Sequence, residues 1–252
     1  MSYQTLSLEV DAQGIATLTL NRPDSRNALN VQMCAEFLQV LDAVEQDPQV
    51  RVVLVRGAGT AFCAGADLKE RKTMSHAEMM ARRMAGLTAY NAIEKVSRPV
   101  VALVHGPAYG SGCEIVAACD FAWATEQATF RYPEVGWGTV GATQRIPRIA
   151  GLRVAKELLF TGRIFTAAEA LEYGLVNRVL EAGRFESEAL EMARHIAQAQ
   201  PLTVSLTKHS LNAGVETTRE GAMAIELLAI EKNLRGMDWK AAIAGFGTTK
   251  EA

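Results

Sequence analysis

Three short apolar runs, Val50–Val55, Pro99–Val104 and Phe121–Ala124, most constrain what this chain can fold into. They read as buried strands, because they are nearly continuous in apolar residues rather than alternating. Helical stretches lie before and between them: Val31 to Glu45, ending before Pro48, and a segment opened by the capping box Ser75-His-Ala-Glu78 that runs to about Lys95. Strands recurring with helices between them predict an α/β core with crossover connections. Ahead of this core, Leu6–Val10 and Ile15–Leu20 alternate in the strand manner across the turn Asp11-Ala-Gln-Gly14. Behind it, Thr166-Ala-Ala-Glu169 is a second capping box and Gly174 a helix stop. Helical patterns then cover Glu186–Gln198, Leu202–Ala213 and Thr218–Leu234. The expected organisation is a core over residues 1–199 and a helical region over 200–252.

The chain has 252 residues, enough for a sizeable core, and a formal charge of −2 that provides no field for nucleic acid or an anionic membrane. No apolar run approaches the roughly 20 residues of a membrane span, and Met1-Ser-Tyr-Gln4 leads directly into a strand pattern. The expected location is therefore the cytoplasm. Cys34, Cys63, Cys113 and Cys119 lie far apart or inside apolar segments, as reduced core cysteines would. No histidine has metal-ligand spacing, so no metal is expected.

Two glycine-rich turns, each directly after a buried strand, carry the first chemical signal. One runs Gly57-Ala-Gly-Thr-Ala-Phe-Cys-Ala-Gly65-Ala66-Asp67-Leu68-Lys69; the other runs His105-Gly-Pro-Ala-Tyr-Gly110-Ser111-Gly-Cys-Glu114. Their spacing fits neither a dinucleotide fingerprint nor a phosphate loop, and no Gly-x-Ser-x-Gly elbow makes Ser111 a nucleophile. Either turn alone reads equally well as an ordinary tight turn. Together they could aim two backbone N–H groups at one oxygen that gains negative charge. Glu114, between apolar neighbours near the start of a helix, either complements the helix dipole or serves as a buried acid/base with raised pKa. Glu134 in Phe130-Arg-Tyr-Pro-Glu134 is, by itself, a loop acid.

These residues together resemble the crotonase family of enoyl-CoA hydratases and isomerases. The similarity runs from about Val10 to Leu180. It includes Asn21-Arg-Pro23, Asn27-Ala28-Leu-Asn30, Ala61 through Glu70, Arg98-Pro-Val100, Gly110 through Glu114 and Cys119-Asp120. It continues with Phe130-x-x-Pro-Glu134, Thr143-Gln-Arg145, Leu158-x-x-Thr-Gly162 and Gly174-Leu-Val176. The resemblance implies an α/β fold, a crotonase-like spiral of ββα units with a helical C-terminal region, in trimers that often pair into hexamers. It implies that the N–H groups of Ala66 and Ser111 form an oxyanion hole. Ala28, Ala64, Ala66, Asp67, Leu68, Lys69 and Ser111 would line the substrate and coenzyme A site. Glu114 would help activate a water and Glu134 would supply a proton at Cα. Coenzyme A enters as part of the substrate, with no separate cofactor. The implied reaction is hydration of a 2-enoyl-CoA to a 3-hydroxyacyl-CoA. The alternatives are double-bond isomerisation or another enolate-forming acyl-CoA reaction and, in a different class, a binding-only role.

Three departures from the family pattern accompany the resemblance. Ser111 stands where hydratases usually have glycine, and would be strained if the turn needs positive φ there. The loop between Glu134 and Thr143, which helps wall the acyl pocket, is shorter than usual. The tail over residues 235–246 lacks the usual acidic-glycine pattern, so no contact is assigned to it.

Overall fold

The computed structural model describes residues 3–244, with the side chain of Ala242 excepted. The parts of the expected C-terminal region and tail beyond residue 244 lie outside the described residues. The chain divides into two compact units, Met1–Ala197 and Gln198–Ala252.

In the first unit, β1 (Leu6–Val10) and β2 (Ile15–Leu20) form an antiparallel hairpin. Next come α1 (Val31–Gln46), β3 (Val52–Gly57), the single turn α2 (Leu68–Arg71), α3 (His76–Lys95) and β4 (Val100–Val104). They are followed by β5 (Ala108–Tyr109), α4 (Ser111–Ala118), β6 (Phe121–Thr125) and β7 (Thr129–Arg131). The unit closes with α5 (Arg145–Thr161), β8 (Ile164–Thr166), α6 (Ala167–Glu172), β9 (Arg178–Leu180) and α7 (Ala182–Gln198). One sheet has the order β1-β2-β3-β4-β6-β9, parallel from β2 onward; a small sheet pairs β5-β7-β8. The three apolar runs are thus adjacent central strands, every residue of β4 being buried. One face of the large sheet packs with α1, α3 and α4. The other packs Ile15, Val52, Leu103 and Trp123 against Phe185, Ala189 and Ala193 of α7.

Local signals act where expected. Asn30 caps α1 by accepting from Met33 N at 2.9 Å, and both capping boxes form, at Ser75 with Glu78 and at Thr166 with Glu169. All four cysteines are buried and none forms a disulfide, burial pushing the Cys34 thiol up to about 11 and that of Cys63 to about 12. In the second unit, α8 (Pro201–Gly214), α9 (Arg219–Gly236, capped by Thr218) and α10 (Trp239–Ile243) realise the helical pattern. No described helix is long and apolar enough to cross a membrane.

Asn27 ties the chain after β2 to the turn after β3. It is fully buried at φ 56°, accepts the Arg22 N–H at 2.9 Å and donates to the carbonyls of Ala58 and Ala61, both at 2.8 Å. Asparagine tolerates the left-handed conformation, and its amide supplies both donors. Asn27→Ala strips three partners at once, each unsatisfied group costing about 1–3 kcal/mol. We expect a loss of roughly 3 kcal/mol or more in urea unfolding. A loss below about 1 kcal/mol would show that these bonds do not hold the turn.

Candidate active site

The two glycine-rich turns meet backbone to backbone. Cys63 pairs with Ala108, donating to Pro107 O at 3.1 Å and accepting from Tyr109 N at 2.9 Å. On the other side Leu29 pairs with Ala66, donating to Gly65 O at 2.8 Å and accepting from Asp67 N at 2.9 Å. Because Leu29 bonds the residues flanking Ala66, the N–H of Ala66 itself points away from Leu29. A Cβ added at Gly65 would lie 3.9 Å from Ser111 N, so the two turns place these amides close together. A Cβ on Gly112 would lie 2.4 Å from the Cys63 carbonyl, so only glycine permits this approach. Among the described residues neither the Ala66 nor the Ser111 N–H meets a protein acceptor. Ser111 opens α4, where a first-turn amide has no intrahelical partner and the dipole is positive.

The turn does take a positive φ, but at Gly110, φ 47°, and not at Ser111. Serine is therefore unstrained here, and its side chain lies beside buried Tyr90 on α3. Glu114, three residues on, is 6% exposed. Arg145, the first residue of α5, donates to its Oε2 at 3.1 Å. The same guanidinium grips Glu94 through two bonds, of 2.7 and 3.1 Å, donates to Asn91 at 2.7 Å and lies 5.6 Å from the Tyr90 ring centre. Glu134 reaches the head of α4 from the loop after β7: its Oε1 lies 3.1 Å from where a Gly110 Cβ would be.

Burial raises the pKa of Glu114; Arg145 opposes the rise, while Glu134 and Glu94 add to it. Burial also raises Glu134, opposed by its own backbone N–H and by Arg83. Oε1 of Glu114 and Oε2 of Glu134 are buried without a hydrogen-bond partner among the described residues. Two such oxygens near one helix start suit acid/base work on a small polar molecule held between them.

Of the remaining residues singled out in the sequence, Ala28 and Ala64 lie next to the Leu29–Ala66 bridge, Ala64 N donating to Arg26 O at 2.9 Å. Leu68 and Lys69 are exposed on α2. The Asp67 carboxylate is already occupied: Oδ1 accepts from the Lys69 and Glu70 amides, and Oδ2 pairs with Arg22 at 3.0 Å. Burial pushes its pKa up, but these bonds outweigh burial and hold it below the ordinary value. Sequence reading gave no role to Tyr90 or Arg83. Arg145 was visible only as the end of Thr143-Gln-Arg.

A profile described as Enoyl-CoA hydratase/isomerase matches residues 11–251. The chain belongs to the enoyl-CoA hydratase/isomerase family. Its relatives within the family include a short-chain-enoyl-CoA hydratase of Clostridium acetobutylicum, 37% identical over 98% of this chain and 95% of that one. A crotonyl-CoA hydratase of Syntrophomonas wolfei is 36% identical over 100% and 98% of the two chains. The crystal structure of an enoyl-CoA hydratase from Bacillus anthracis superposes with a TM-score of 0.93 at 34% identity, covering 96% of each chain. The crotonase fold expected from the sequence is therefore the fold observed.

Arg145 is the cation that opposes the rise in Glu114. Arg145→Gln should move the Glu114 titration to higher pH, followed by the carboxyl infrared band that Glu114→Gln removes. An unmoved or lowered midpoint would assign that opposing charge elsewhere.

Proposed function

We propose that this protein is an enoyl-CoA hydratase that adds water across a 2-enoyl-CoA to give a 3-hydroxyacyl-CoA. The reading rests on one observation above all: the two unpaired carboxylate oxygens, Glu114 Oε1 and Glu134 Oε2, buried at the start of the helix that carries the free Ser111 N–H. The thioester oxygen accepts from the Ala66 and Ser111 amides, which draws electron density from the double bond and makes Cβ electrophilic. A water held by both glutamates attacks Cβ. Glu114 assists by taking up its proton, and Glu134 delivers a proton to Cα as the enolate collapses. Raised pKa values suit this exchange, since one carboxyl must be protonated while its neighbour is ionised. Ala28, Ala64 and the turn from Ala66 to Lys69 line the coenzyme A path through backbone and small side chains. Asp67 shapes that turn by capping α2.

The relatives named as hydratases support the reaction class, and the paired free oxygens favour hydration over a single-base isomerisation. A homotrimer or a dimer of trimers is the proposed assembly. The second unit supports it, for α9 buries no residue while exposing Met223, Leu227, Leu228, Ile230 and Leu234. A cytoplasmic location agrees with the absence of a membrane-spanning helix among the described residues.

If both glutamates act on one water, their effects are coupled rather than additive. Glu114→Gln and Glu134→Gln should each lower kcat for crotonyl-CoA hydration by about 10²-fold or more, and the double variant should be little worse than the poorer single. One variant near wild type, with the other losing both hydration and 3-enoyl to 2-enoyl conversion, would point to a single-base isomerase.

A further inference from the structure

Three arginines beside this site form no ion pair among the described residues, although Arg83 acts on Glu134 through space. Arg82 on α3 is 5% exposed; its Nη2 donates to the Leu29 carbonyl at 2.7 Å, and its Nε is buried without an acceptor. The next residue, Arg83, is half-buried and donates Nη1 to the Val140 carbonyl at 2.8 Å and Nη2 to the Thr139 hydroxyl. Burial lowers the pKa of Arg71, at the end of α2, and the nearby charges of Arg83 and Arg82 lower it further. Among the described residues none of the three forms an ion pair, whereas Arg22, Arg145 and Arg163 each do. A buried guanidinium without a carboxylate is costly, by several kcal/mol in general terms. A bound anion would offset that cost.

The position of the cluster narrows the anion. A Cβ on Gly141 would lie 3.0 Å from Glu134 Cγ and 3.5 Å from Arg83 Nη1, so Arg83 abuts the glutamate that acts at Cα. Its bonds to Thr139 and Val140 place Arg83 on the loop after Glu134, while Arg82 and Arg71 flank the turn proposed for coenzyme A. Met80 and Leu87, three residues before and four after Arg83, share its face of α3 and are exposed. That face is an apolar wall interrupted by one cation. It suits a short hydrocarbon chain with an acidic end.

We propose that Arg83, with Arg82 and Arg71, forms a carboxylate subsite, so that the substrate is a 2-enoyl-CoA whose acyl chain ends in a second carboxylate. The inference rests on the acyl-CoA site proposed above and adds the substrate class. A guanidinium fork recognises a carboxylate through paired charge-assisted bonds, which a neutral isostere cannot return.

Binding needs no turnover and so tests the subsite separately from hydration. Calorimetric titration should compare glutaryl-CoA, its terminal amide and free coenzyme A on the full chain. Wild type should bind glutaryl-CoA about tenfold or more tightly than the amide. Arg83→Gln and, separately, Arg71→Gln should bring that ratio towards one while leaving the affinity for free coenzyme A within about twofold. A wild-type ratio of one or less would overturn the proposal. So would equal weakening of all three ligands in both variants, which would make the cluster a phosphate site. If glutaconyl-CoA, the 2-enoyl counterpart, is not hydrated while glutaryl-CoA binds with the expected preference, the proposed reaction fails and the subsite stands.

Discussion

The site depends on a close approach of two main chains. The turn after β3 pairs with β5 at Cys63 and with the chain after β2 at Leu29. These pairings use the backbone groups of Cys63, Gly65 and Asp67 and leave the Ala66 amide over. The same approach brings the start of α4 alongside, with the first-turn amide of Ser111 also unused. Catalytic donors made this way need no side chain and little reorganisation when substrate binds. Their position is set by the sheet itself, since β3 and β4 are the buried central strands from which both turns emerge.

Electrostatics then divides the site into two halves, each with one glutamate and one arginine. Arg145 contacts Glu114 directly and is itself fixed by Glu94 and Asn91 on α3. Arg83 is anchored on the loop carbonyl of Val140 and acts on Glu134 through space. In both halves burial favours the neutral acid and a nearby cation favours the carboxylate. That balance keeps both protonation states within reach, as general acid–base catalysis requires. Tyr90 lies beside Ser111 and under the Arg145 guanidinium, next to the Glu114 half.

What was legible in the sequence was local. Capping boxes act within four residues, so the starts of α3 and α6 could be read from Ser75 and Thr166. The buried strands announced themselves by apolar content. By contrast β5, β7 and β8, at two or three residues each, carry no period to detect. Helix α5 was hidden because Pro147 and Gly151 interrupt its pattern, Gly151 adopting a non-helical φ of 78°. Glutamates 114 and 134 could be singled out through a resemblance, but not their partners. Arg145 reaches Glu114 across 31 positions, a pairing no local rule supplies. Whether serine is strained at position 111 could not be read from the sequence, because it depends on which residue of the turn takes positive φ, and that residue is Gly110.

The central claim is that two backbone amides polarise the thioester, and vibrational spectroscopy reads this directly. A 2-enoyl-CoA labelled with ¹³C at the thioester carbonyl should be bound to the protein with both catalytic glutamates replaced by glutamine, so that it persists unhydrated. The labelled carbonyl stretch should then move to lower frequency than in water, because two preorganised donors withdraw electrons more strongly than mobile solvent. A bound carbonyl band at or above its aqueous frequency would contradict the account.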